Sequence, residues 1–155
     1  LFGAELTYAG QNINNFSFDK DARNISRRYR DFISILIMSL VAKRFEKNEA
    51  PYTAEEISEE CQIPIRLTQE TLYELQEINL LHEVVTDEKS EEIAYQPSMD
   101  INQMNVALLL DRLDTRGSED FKIDKEKEFH GHWQTLLNAR EKYFNSVRTV
   151  LLKDL

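Results

Sequence analysis

The 155 residues, 41% hydrophobic and 30% charged, are enough to bury a proper core and have the composition of a globular protein. A net charge of −9 argues against broad nucleic-acid binding, because affinity for a polyanion comes largely from neutralising phosphates with Lys and Arg. One cysteine, Cys61, excludes an internal disulfide and fits a reducing compartment, while four glycines and three prolines leave few turns, so long helices should dominate.

The chain begins at Leu1 without methionine and without a signal-peptide pattern, which suggests an excised piece of something longer. Leu1 to Asn12 is mostly small and apolar, and Asn12 to Asp21 reads as a polar linker carrying Phe16 and Phe18. Asp21 to Lys47 should be one long helix, apolar on more than one face through Tyr29, Phe32, Ile33, Leu36, Ile37, Leu40 and Val41. Its longest apolar run, Phe32 to Ala42 interrupted by Ser34 and Ser39, is 11 residues, short of the roughly 20 a membrane span needs. Lys43, Arg44 and Lys47 complement the helix dipole at the far end, whereas Arg23, Arg27, Arg28 and Arg30 oppose it at the start.

Residues 51–97 form one unit. Thr53 with Glu56 makes a capping box, and Ala54, Ile57 and Cys61 then share an inner face, so Cys61 is expected as a small buried hydrophobe. Gln62-Ile63-Pro64 turns the chain into a second helix that runs to about Asn79 and buries Leu67, Leu72, Leu75 and Ile78. Leu80 to Val85 and Ile93 to Gln96 are short β-formers separated by an acidic tip. Helix, tight turn, helix and β-ribbon is the winged helix-turn-helix order. The expected fold is therefore mainly α, a winged helix-turn-helix with a small two-stranded wing and additional C-terminal helices. Asp100 with Gln103 looks like the cap of a helix over Ile101 to Leu113, Ser118 to Asp124 is a loop, and Lys125 to Leu155 is a final amphipathic helix. A helix of that length exceeds so small a core, which leaves part of it for a protein partner or for self-association.

Catalytic motifs are wanting. His130 and His132 fall on nearly opposite sides of a helix, and no HExxH, CxxC, P-loop, GxGxxG or GxSxG string occurs, so no catalytic residue, metal or cofactor is assigned. The Glu-Glu pairs at 55–56, 59–60 and 91–92 are adjacent residues of a solvated face. If the second helix of the motif reads DNA, Arg66, Thr68, Gln69 and Tyr73 are its contacts. Against this, residues 52–98 hold twelve acids and two bases, a net of −10, including Glu70, Glu74 and Glu77 on that same helix. Charge thus weighs against DNA as the partner.

Taken in order, Gly3-Ala4-Glu5-Leu6, Ile25-Ser26-Arg27-Arg28-Tyr29, Ala54-Glu55-Glu56-Ile57-Ser58, Ile63-Pro64-Ile65-Arg66 and Ala94-Tyr95-Gln96-Pro97 resemble the cytoplasmic C-terminal region of the YihY/BrkB family of bacterial inner-membrane proteins, in a Bacteroidetes-like version. The resemblance implies that residues 1–18 are the end of a transmembrane helix and a linker, 19–117 a winged-helix domain and 118–155 a C-terminal amphipathic helix. It implies an interaction or regulatory domain on the cytoplasmic face of the inner membrane. The dipole-opposed Arg23, Arg27, Arg28 and Arg30, close to the apolar start, are then expected against anionic lipid. The family's older label, ribonuclease BN or tRNA-processing ribonuclease, implies a catalytic site for which these residues show no motif. The winged-helix half also looks like the Rrf2 type of transcription regulator, without that group's cysteine cluster. The alternative function is accordingly a nucleic-acid-directed one, either tRNA processing or transcription regulation.

Overall fold

The computed structural model describes residues 23–155; the expected end of a transmembrane helix and linker over residues 1–18 lies outside them. In chain order the elements are α1 (Arg27–Glu46), β1 (Tyr52–Thr53), α2 (Ala54–Cys61), α3 (Ile65–Glu77), β2 (Leu81–Asp87), β3 (Glu92–Pro97), α4 (Val106–Asp114), α5 (His130–Asn145) and a closing 3-10 turn (Leu152–Asp154).

The central helix does not run unbroken from Asp21. Ile25 and Ser26 leave the helical conformation, and the Ser26 hydroxyl accepts the Tyr29 N–H at 3.2 Å, so the helix is capped there and begins at Arg27. Ile33, Ile37, Met38 and Val41 recur at the helical period and are buried in the centre of the core. Ser34 and Ser39 are buried among them.

The capping box at α2 forms as expected. Thr53 Oγ1 accepts the Glu56 N–H at 3.2 Å, and the Glu56 carboxylate accepts the Thr53 N–H at 3.4 Å. The turn of the motif is made by Gln62 in the left-handed region, φ 54°. Ser58 Oγ donates to the Ile63 carbonyl at 2.6 Å and ties the turn down. Pro64, which has no N–H to satisfy, stands immediately before α3. Leu67, Leu72 and Leu75 then bury the inner face of α3. The chain leaves α3 through Asn79 at φ 61°, a conformation Asn tolerates better than most residues.

Both wing strands form, and a third strand joins them. The sheet is antiparallel in the order β1-β3-β2, with Tyr52 opposite Tyr95 and Thr53 opposite Ala94. Two residues are too few to show alternation, which is why β1 is silent in the sequence. The β2–β3 ribbon runs from Leu81 opposite Pro97 to Val85 opposite Ile93, with an irregularity between Val85 and Asp87 before the tip.

The C-terminal third differs most from expectation. Asp100 accepts the Asn102 N–H at 2.8 Å within a turn, and the helix starts one turn later, where Asn105 Oδ1 accepts the Leu108 N–H at 2.8 Å. Instead of one helix over Lys125 to Leu155, α5 spans His130–Asn145, and the chain then folds back. The Val106 N–H donates to the Val150 carbonyl at 2.9 Å and the Leu152 N–H to the Met104 carbonyl at 3.0 Å, and Leu152 itself is fully buried. Phe144 joins the same core from α5.

Candidate nucleic-acid interface

The outward face of α3 is made by Arg66, Gln69, Glu70, Tyr73 and Glu77, all exposed and three or four residues apart. Thr68, expected on that face, lies on the other. It is fully buried, and its hydroxyl donates to the Pro64 carbonyl at 3.2 Å. Leu67, Thr68, Thr71, Leu72 and Leu75 share the inner side of the helix, so Thr68 fills space in the core.

The glutamates of α3 do not stand alone. Glu70 lies 3.9 Å from Arg66, one turn away. Arg116, just past α4, reaches back across the helix, with Nη1 3.9 Å from Glu74 and Nε bonded to Glu77. The Tyr73 hydroxyl donates to Glu77 as well, which raises the phenol's pKa. Those two bonds, that from Arg116 first, hold the Glu77 carboxyl below its ordinary value. Arg112 closes the end of α3, donating to the Ile78 carbonyl at 3.0 Å. The negative count over residues 52–98 omits both arginines because they follow it in sequence.

The acidic wing is as the sequence implies. Asp87, Glu88, Glu91 and Glu92 are exposed, and Lys89 is the base among them, its N–H donating to Asp87 Oδ1 at 2.9 Å.

The arginines expected to meet lipid occupy a different setting. Arg23 is exposed, whereas Arg27, Arg28 and Arg30 line a cleft between α1, α3, α4 and α5 that also holds Arg116 and Arg140. Asp31, Glu74 and Asp114 face them. Arg140 Nε donates to Asp114 at 2.9 Å. Burial, followed by the charge of Asp114, raises the Asp31 carboxyl against the opposing pull of Arg140 and Arg27. Arg112, Arg116, Arg140 and Asp114 carry no local signal, since their partners are distant in sequence.

His82 is exposed on β2, and His130 and His132 are exposed at the start of α5, where the His132 ring packs edge-on against Phe129. Cys61 is partly buried; burial and the charge of Glu60 push its thiol up, away from the reactive thiolate.

No protein-family model and no curated protein matches this chain. Solved structures do. Staphylococcus aureus CymR is 15% identical with a TM-score of 0.55, over 81% of this chain and 93% of its own. T. potens IscR is 13% identical with a TM-score of 0.58, over 86% of this chain and 87% of its own. CymR of B. subtilis, its global cysteine regulator, is 14% identical with a TM-score of 0.56, over 84% of this chain and 94% of its own. These neighbours are winged-helix regulators of the Rrf2 type, and at such identities the likeness is one of fold. None of them bears on the YihY/BrkB resemblance.

Two expectations fail against these structures. Attachment to the inner membrane, and with it a place on the cytoplasmic face of that membrane, is overturned by these neighbours, which are transcription regulators. Among the described residues no helix is long and apolar enough to cross a membrane. The judgement against DNA as a partner is overturned by the same neighbours. Its physical weakness was to count charges along the sequence, when those near α3 are set by the tertiary fold.

Proposed function

We propose that this chain is a winged-helix transcription regulator that reads duplex DNA with α3. The observation that carries the reading is the outward face of that helix. Arg66, Gln69 and Tyr73 are exposed on it, while Glu74 and Glu77 are engaged by Arg116 of the same chain. Arg and Gln are the side chains suited to bidentate contact with guanine and adenine edges in the major groove. The regulator fold of the structural neighbours supports the assignment. The low overall charge makes non-specific affinity weak, so base contacts have to supply a large share of the binding.

Selection from a random duplex library at low salt, followed by fluorescence polarisation on the enriched sequence, tests this. The enriched duplex should bind at least about a thousandfold more tightly than a scrambled one. Arg66→Ala should cost about 1–3 kcal/mol and relax the preference at one position. Failure of any sequence to enrich, or undiminished affinity in both Arg66→Ala and Gln69→Ala, overturns the reading.

A further inference from the structure

The arginine-lined cleft does not include Arg66, Gln69 or Tyr73, and its chemistry points to a ligand. It measures about 740 Å³, within the range of small-molecule sites. Among the described residues five guanidinium groups and three carboxylates line it, in a chain whose net charge is −9. Arg28 is exposed in the cleft and holds no ion pair with another described residue. Ile35, Leu110 and Leu113 give the lining an apolar part. Phe32 and Tyr143, also lining it, leave 52% and 49% of their surface exposed. Large half-exposed aromatics beside Arg28 suit an anion with a flat apolar body, because guanidinium binds carboxylate in two-point fashion and rings cover apolar surface.

We propose that this cleft binds a small aromatic or apolar carboxylate and that Arg116 couples its occupancy to α3. Arg116 lines the cleft and also holds Glu74 and Glu77, so a carboxylate drawn to Arg116 competes with those two groups for it. The regulatory meaning rests on the reading of α3 as the DNA-contacting helix; the binding itself does not.

The probe is naphthalene-2-carboxylate, titrated into the full chain without DNA by calorimetry and NMR. Naphthalene-2-methanol and inorganic phosphate test the charge and the apolar body separately. The carboxylate should saturate at one equivalent, at least tenfold more tightly than either comparator. Arg140→Gln and Arg28→Gln should each weaken it at least fivefold. Arg28→Gln removes no ion pair among the described residues and therefore serves if Arg140→Gln loses its fold. On saturation the Tyr73 ring signals should move. No saturation at millimolar carboxylate, a comparator binding as tightly, or full affinity in Arg28→Gln overturns the site; an unmoved Tyr73 overturns the coupling. Because no DNA is present, these outcomes are separate from those of the duplex selection.

Discussion

Glu56 binds three groups at once: its carboxylate accepts from the Thr53 N–H and hydroxyl and from Arg44 Nη1 at 3.0 Å. Arg44 in turn lies 3.6 Å over the Tyr52 ring, and the Tyr52 hydroxyl donates to Glu60 at 2.7 Å. Burial, then the bond to Glu60, pushes that hydroxyl up to about 12. Thr53→Ala removes one half of the capping box and should lower stability by about 1 kcal/mol, read as a lower urea midpoint at unchanged slope. Glu56 also predicts a pH dependence. Burial raises its pKa, but the bonds from Arg44 and Thr53 outweigh that and leave it below 4.5. A depressed carboxyl contributes stability that is present above the ordinary value and is lost as pH falls through the folded one. Glu56→Gln should therefore destabilise the protein at neutral pH and flatten the acid side of its stability curve below about pH 4.5, measured by urea titration at several pH values.

At the scale of the element, α3 is a helix whose surface charge is decided elsewhere. Arg116 lies 39 residues beyond Glu77 and still bonds to it. Arg112 tends the carbonyl end, where a cation is favoured by the helix dipole. Arg116→Gln should leave the helical content unchanged, because the pairs it breaks are at the surface and are worth at most about 1 kcal/mol. It should nevertheless weaken binding to the selected duplex severalfold, since two carboxylates on α3 then act uncompensated on phosphate. The loss should shrink as salt is added. Polarisation titrations across a salt series read both effects, and a salt-independent change would mean that Arg116 acts through shape instead.

The whole molecule is closed by its last residues. Leu151 bridges to Asn105, Leu152 is buried beneath the start of α4, and Lys153 Nζ meets Glu46 at 2.7 Å, 107 residues earlier. The C-terminal turn thus clamps α1 and α4 together around one core. Leu152→Ala leaves a cavity in that core and should cost about 2–5 kcal/mol in a single cooperative urea transition. Lys153→Ala, at the surface, should change the midpoint by less than about 1 kcal/mol. If Leu152→Ala instead costs no more than Lys153→Ala, the closing turn is peripheral to the core.

The helix-turn-helix and wing were legible because their determinants are local. Thr53 and Glu56 stand three residues apart, Gln62 to Pro64 turns the chain, and Leu67, Leu72 and Leu75 repeat at the helical period. Local spacing could not reveal β1, whose two residues are ordered by pairing with Ala94 and Tyr95 some forty positions on. Nor could it end α5 at Asn145, because the backbone partners of Val150 and Leu152 lie at Val106 and Met104. The candidate site divides in the same way. Arg66, Gln69 and Tyr73 follow from the period of α3, while Thr68 needed the core to decide which side it joins. The partners of the charges on α3 were beyond the sequence altogether. Charges act through space, and Arg112 and Arg116 reach that helix only because the chain from β3 onward packs α4 beside it.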